Sequence, residues 1–457
     1  MIAIFFNGQI IFFFIQKNQP FFAYVLLEDK MEDISNLAGR QWLSSQMDFS
    51  TKAGLTKIEA IKDGRCLRCN AKVYAQLPSG KKYCRACIGL GRIVEGDYLI
   101  RNEQKINFSI KANGGLTWKG ELTSLQAEIA HKLTENYVYG RDSLVHAVTG
   151  AGKTEMLFPL IAHCLAKGKR CCIATPRIDV VNELYPRFQK AFSEIKIGKY
   201  HGREYQEPGL EQLTICTTHQ LLKFFHAFDL LVIDEADSFP YVHNSELHFA
   251  AKNAVNDSGQ RVYLTATPTK DLLVSVEKGK LRKLKLKRRF HGNLLPVPKE
   301  KLFLRPFLRQ NKINVRLIKE IIKVIAAGHP LLLFVPRVDQ INFYIDALKK
   351  EPKFSQIKIS GVHANDINRI NKVEKFRAGE IQLLVTTTIL ERGVTFNHVW
   401  VIVVQADDKI YSASSLVQIA GRVGRAKTDP SGLVLFCYHK YTKSIRDAMK
   451  QIREMNK

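Results

Sequence analysis

Ala147-Val148-Thr149-Gly150-Ala151-Gly152-Lys153-Thr154 is the stretch on which the reading of this chain turns. It closes a short apolar run, residues 143–148, and opens an apolar segment of helical spacing, residues 156–165, so it stands where a buried strand passes into a helix. Two glycines let the backbone come close to a ligand, and the N–H groups at a helix start face an anion. The lysine adds a charge for outer phosphates and the threonine a hydroxyl for Mg2+. Thr149, Gly150, Ala151, Gly152, Lys153 and Thr154 are therefore expected to hold the phosphates of ATP, with Thr154 also on Mg2+. Ala147 replaces the first glycine of the usual pattern, a change that leaves the phosphate-facing positions intact. The competing reading is a glycine-rich turn that binds no nucleotide.

Further along, Phe228-Asp229-Leu230-Leu231-Val232-Ile233-Asp234-Glu235-Ala236-Asp237 is an apolar run ending in acids, Asp234 standing eighty residues beyond Thr154. Carboxylates at the end of a buried strand need cations. Asp234 is expected to hold the Mg2+ shell and Glu235 to accept a proton from attacking water, with a helix cap as the alternative. Far downstream, Gln418-Ile419-Ala420-Gly421-Arg422-Val423-Gly424-Arg425 offers two guanidinium groups three apart. Arginines supplied by a second lobe stabilise a γ-phosphate only when the lobes close. Arg422 and Arg425 are the candidates and Gln418 is placed to contact phosphate or water; a solvated turn is the alternative.

The intervening chain alternates short apolar runs with helical spacing, the mark of a parallel sheet flanked by helices. Strands are expected at 143–148, 170–175, 213–217, 230–233 and 262–265, and a second set at 331–335, 383–386, 399–404 and 433–438. The fold class is α/β, two tandem parallel-sheet lobes behind a small metal-binding module. The expected divisions are an amino-terminal segment at 1–60, the module at 61–100, lobe 1 at 101–285 and lobe 2 at 286–457. Residues 278–289, rich in Lys and Arg and followed by Pro296 and Pro298, read as an irregular join, residues 31–61 as helical and loop connections, and residues 438–457 as a basic helix.

Four of the nine cysteines form a module of their own: Cys66 and Cys69, then Cys84 and Cys87, two short knuckles with the spacing of a four-thiolate Zn2+ site. It would present Arg65, Arg68, Lys72, Lys81, Lys82 and Arg85 on a frame fixed by metal, either to grip nucleic acid or partner or simply as a staple. The others, Cys164, Cys171, Cys172, Cys216 and Cys437, lie in apolar runs and read as core. Across 457 residues, 69 Lys and Arg against 43 Asp and Glu leave a charge of +26, which calls for a polyanionic partner. Residues 1–27 are apolar and Phe-rich, but Asn7-Gly8-Gln9 interrupts them and no basic residue precedes the run. They read as translated leader, with Met31 opening ordinary sequence, and no stable membrane insertion is expected.

Taken in order, these residues resemble superfamily 2 helicases and translocases, whose lobes are RecA-like, over residues 122–447. Gln126 resembles the adenine-sensing glutamine of that family; Thr175-Pro176-Arg177 and Thr217-Thr218-His219-Gln220 resemble strand-contacting motifs. Thr265-Ala266-Thr267 resembles the motif that links hydrolysis to lobe movement, and residues 386–395 the fifth helicase motif. Thr175, Arg177, Thr217, Thr386 and Thr387 are thereby expected to hold a nucleic-acid backbone without reading bases. The cysteine module, the segment Arg289-Phe290-His291-Gly292-Asn293-Leu294-Leu295-Pro296-Val297-Pro298 and residues 386–396 narrow the resemblance to the ComFA family.

That resemblance implies an ATPase dependent on single-stranded DNA, in the cytoplasm and peripheral at the inner face of the cell membrane. It would help draw transforming DNA through a membrane channel alongside other competence proteins. Two other readings stay open: a zinc-containing replication-restart or repair helicase, and a zinc-dependent nucleic-acid-binding module without motor activity.

Overall fold

The computed structural model describes residues 2–6, 9–13, 34–45, 54–202, 209–310, 312–424 and 432–457. The first lobe is built on β1 (Ser143–Ala147), β2 (Cys171–Thr175), β3 (Ile197–Tyr200), β4 (Leu213–Thr217), β5 (Phe228–Ile233), β6 (Val255–Thr265) and β7 (Arg282–Leu286). Their order in the sheet is β3-β4-β2-β5-β6-β1-β7, with every pairing parallel. β2 and β4 are buried at all positions, because helices cover both faces, and that is why these strands read as unbroken apolar runs.

The second lobe repeats the plan with β8 (Lys299–Leu302), β9 (Leu331–Phe334), β10 (Ile359–Val362), β11 (Leu383–Thr386), β12 (Trp400–Val403) and β13 (Val434–Tyr438). Its order is β8-β13-β12-β9-β11-β10, again all parallel. The basic carboxyl-terminal helix is Lys443–Asn456, and it buries Ile445, Ala448, Met449, Ile452 and Met455. The helix after the glycine loop is broken into Lys153–Met156 and Phe158–Leu165, with Pro159 near the start of the second piece, where a missing N–H costs no helical bond.

Three local expectations are corrected. The basic join is not irregular throughout: residues 282–286 are β7, the edge of the first sheet. Leu286 is buried, while Arg282 and Lys285 stay exposed, and lysines along a sheet edge are what keep it from pairing with other chains. Residues 31–61 are not merely helix and loop, since Gln41–Leu43 and Leu55–Glu59 flank Tyr98–Asn102 in an antiparallel sheet. Local pattern hid them because their partner lies about forty to sixty residues further on. Arg68 is not presented to solvent; its guanidinium is buried inside the module.

The amino-terminal sheet and the cysteine module are fused to the first lobe. Gln41 Nε2 donates to Leu222 O at 3.0 Å, the Arg40 guanidinium donates to Tyr200 Oη at 2.8 Å, and Arg101 stacks over the Phe225 ring at 3.7 Å. One apolar core runs from Leu43 and the four cysteines to Cys172, Phe224 and Leu247. Residues 2–6 and 9–13 pair as an antiparallel hairpin, and the rest of the expected leader, 14–30, lies outside the described residues. Among the described residues no helix is long and apolar enough to cross a membrane.

Candidate functional site

The carboxyl ends of the strands in the first sheet face the second lobe, and the glycine loop leaves β1 there, the edge at which open α/β sheets bind ligands. Gly150 and Gly152 have φ of +80° and +67°, a left-handed conformation that side chains resist. A Cβ on Gly152 would stand 2.3 Å from Gln126 Nε2, so a side chain there would have to displace Gln126 as well as bear the backbone strain. Around it lies a cavity of about 610 Å3, lined from the first lobe by Thr149 to Glu155, Asp234 and Glu235, and from the second by Arg392, Gly393, Gln418 and Arg422. The lysine, the acids, the glutamine and one of the two arginines singled out in the sequence thus share one space. Arg425 lies outside the described residues.

The acids are placed by the end of β5. Asp234 N donates to Ala174 O at 2.8 Å, and Asp234 Oδ1 accepts from Glu235 N at 2.9 Å. Glu235 adopts φ of +54°, a conformation costing a non-glycine residue on the order of 1–3 kcal/mol and retained chiefly at functional sites. Burial raises the Asp234 carboxyl above its ordinary value, with the Lys153 ammonium opposing. The Asp234 carboxylate and the Thr154 hydroxyl line the same cavity and offer oxygen ligands suited to a hard divalent cation. The Thr149 hydroxyl is buried and has no hydrogen-bond partner among the described residues.

Gln126 sits at the start of the helix Ser124–Val138, in a capping box with Thr123. Its Nε2 donates to Ala151 O at 2.9 Å and to Gly152 O at 3.2 Å, so it braces the phosphate loop directly. Arg422 is buried, and its Nε donates to Glu391 O at 3.0 Å while Nη1 donates to Val394 O, bonds within its own lobe that hold the guanidinium at the cavity wall.

Sequence reasoning missed the pair that ties the lobes together. Arg392 of the second lobe meets Asp237 of the first through Nη2 to Oδ2 at 2.5 Å and Nη1 to Oδ1 at 3.2 Å, both side chains being almost fully buried. Asp237 also accepts from Thr265 Oγ1 at 2.7 Å, from Thr267 Oγ1 and from Ser414 Oγ at 3.0 Å. Against the burial that would raise it, the Arg392 guanidinium and these hydroxyls hold the Asp237 carboxyl well below the usual carboxylate range. Both residues stood in motifs already noticed; what no local pattern shows is a partnership across 155 positions. Arg289 is a second such residue: leaving β7, it is buried and donates to Val423 O at 2.7 Å and to Gly424 O. Gly421 packs so closely on the loop that a Cβ there would stand 1.9 Å from Thr149 Oγ1.

Of the expected strand-contacting residues, Thr175, Thr217 and Thr386 end β2, β4 and β11, and Thr387 follows; all four are buried. Thr386 Oγ1 donates to Val362 O at 3.2 Å and its carbonyl accepts from Val335 N at 2.8 Å, so this position is engaged within its own lobe. Arg177 Nη2 donates to Ile389 O at 2.6 Å, another bond between lobes. In the module, the four cysteine sulfurs lie within 4.8 Å of one another, with Cys66 to Cys87 at 3.8 Å and Cys69 to Cys84 at 3.5 Å. Sulfurs about 2.3 Å from a tetrahedral ion stand about 3.8 Å apart, so the cluster fits such an ion. Hydrogen bonds from Cys66 and Cys69 hold the Cys84 and Cys87 thiols below their ordinary range. Arg68 Nε lies 3.3 Å from Cys87 Sγ, and its Nη2 donates to Gly91 O at 2.6 Å, a buried cation suited to thiolate charge.

The geometry agrees with the likenesses of the chain. Residues 123–273 match the DEAD/DEAH box helicase family and residues 314–427 the helicase conserved C-terminal domain. The fold resembles a leucine-to-valine variant of S. cerevisiae Dbp5 bound to RNA and ADP BeF3, with a TM-score of 0.52 at 15% identity over 73% of this chain and 91% of that one. The chain is 39% identical to Competence protein ComFA of Streptococcus pneumoniae over 92% of its own length and 97% of that protein. It is 40% identical to Competence protein ComFA of Bacillus subtilis over 86% of its length and 85% of that protein. Helicase domains of this kind bind nucleic acid and hydrolyse ATP with Mg2+. A shared cavity between two parallel-sheet lobes, a four-cysteine cluster ahead of them and identity at this level along nearly the whole chain place it in the ComFA family of ATP-hydrolysing superfamily 2 helicases.

Proposed function

We propose that this protein is a translocase on single-stranded DNA that draws transforming DNA into the bacterial cell during competence. The observation that carries the reading is the composition of the cavity: Lys153, Asp234 and Glu235 come from one lobe, Gln418 and Arg422 from the other. Hydrolysis at such a site requires the lobes to close, and closing and opening on a strand held by both lobes moves it.

In this mechanism the backbone from Thr149 to Thr154 cradles the phosphates and Lys153 draws charge from the outer ones. Thr154 and Asp234 would hold Mg2+, which would supply positive charge against the phosphates. Glu235 takes the proton of the attacking water, and Gln418, Arg422 and Arg425 meet the γ-phosphate. Thr175, Arg177, Thr217, Thr386 and Thr387 mark the line along which the DNA backbone lies. The proposed organisation is a segment at 1–60, a module at 61–100 in which Cys66, Cys69, Cys84 and Cys87 would hold Zn2+, and lobes at 101–285 and 286–457. The name shared by the two curated relatives supports a role in competence, with other competence proteins and the membrane DNA channel as partners at the inner face of the membrane.

The test is ATP hydrolysis by the purified protein with single-stranded DNA, duplex DNA or RNA at one stated salt concentration, since electrostatic affinity falls steeply with salt. Stimulation by single-stranded DNA well above the other two supports the proposal. A rate indifferent to added strand refutes it, and unwinding that prefers forked duplex assigns the chain to replication restart or repair.

A further inference from the structure

We propose that the base of the nucleoside triphosphate is held by stacking on Phe290 and receives no hydrogen bond from Gln126, so that the motor accepts triphosphates of any base. The inference rests on the cavity being the nucleotide site.

A carboxamide has two N–H donors and an oxygen with two acceptor positions. In Gln126 all four are taken: Nε2 donates to Ala151 O and Gly152 O, and Oε1 accepts from Thr123 N at 2.9 Å and Thr123 Oγ1 at 3.0 Å. Two carbonyls on one side and two donors on the other fix which way the amide points. The side chain is 4% exposed. Reading the edge of a base would require it to release the loop that holds the phosphates.

Phe290 is arranged in the opposite way. Its backbone is pinned, because Phe290 N donates to Gly150 O at 3.1 Å and the neighbouring Arg289 is buried between the lobes. The ring is nevertheless 51% exposed and lines the same cavity, its Cβ 3.4 Å from where a Cβ on Gly152 would be. Trp118, the other aromatic of the wall, is committed edge-on to Phe158 at 5.4 Å. Beyond the His291 ring, whose centroid lies 5.1 Å away, the Phe290 ring is left half open beside the phosphate loop, and that open half suits a flat heterocycle. Every base has a π face, so stacking tolerates all of them, whereas a site built to hydrogen-bond its ligand rejects analogues by about 10⁴-fold or more.

The test measures hydrolysis of ATP, GTP, CTP and UTP with saturating single-stranded DNA, for the wild type, Phe290→Ala and Phe290→Trp. The expected result is kcat/KM values within about tenfold across the four, purines ahead because they stack better. Phe290→Ala should raise KM for each by about fivefold or more with kcat little changed, and Phe290→Trp should restore it. Preference for ATP over GTP above about 100-fold, or a Phe290→Ala protein with unchanged KM, overturns the inference while leaving the motor reading intact. Hydrolysis of none of the four removes the nucleotide site and the inference with it.

Discussion

Replacing Arg392 by Gln removes the charge that faces Asp237 across the lobes. The carboxylate is left almost fully buried, with three hydroxyls but no cation, and loss of one partner from such a pair costs about 3–5 kcal/mol. Because the bond joins two lobes that each keep their own sheet, this cost falls mainly on the closed arrangement. It therefore weakens closure by roughly 100-fold to several thousandfold. Asp237→Asn should do comparable damage by leaving the buried guanidinium with only the more distant Glu391 carboxylate, 3.7 Å from its Nε. The assay is a double-mutant cycle on the kcat of DNA-stimulated hydrolysis, with thermal unfolding measured alongside. Each single variant should lose about 100-fold or more in kcat with a small shift in melting temperature, and the double variant should be little worse than either single one. Single variants within about threefold of wild type, or losses that simply add, would refute the assignment of this pair to lobe closure.

Gly421→Ala should also hinder closure, since its Cβ meets Thr149 Oγ1: kcat should fall about tenfold or more while equilibrium binding of a non-hydrolysable ATP analogue changes little. For Asp234, whose carboxyl burial raises, the folded metal-free protein holds the proton more tightly than the unfolded chain. Its contribution to stability is thus present at low pH and lost as pH rises through the raised value, and Mg2+ competes with that proton. Affinity for Mg2+ with ATP should therefore weaken as pH is lowered from about 8 toward 5, as calorimetric titration would show. Cys69→Ser should lower bound zinc measured by mass spectrometry and reduce melting temperature by several degrees, because the module shares one core with the first lobe.

What the sequence disclosed and what it hid divide along a physical line. Strands buried on both faces, such as β2 and β9, announce themselves as apolar runs, and the glycine loop and the acids at 234 and 235 carry their chemistry in adjacent residues. β7 was masked because an edge strand carries lysines, which read locally as a linker. Arg68 looked like a surface charge, and only the fold shows it turned onto Cys87 and the carbonyl of Gly91. The roles of Arg289, Arg392 and Gly421 arise from contacts between lobes, which no window of sequence contains.

The account stands on a fuel cavity divided between two lobes, and single-turnover hydrolysis measured beside nucleotide binding tests it most directly. Arg422→Ala should bind an ATP analogue within about threefold of wild type and hydrolyse ATP about 1,000-fold more slowly in the presence of single-stranded DNA. An Arg422→Ala protein that binds and hydrolyses ATP at the wild-type rate would contradict it.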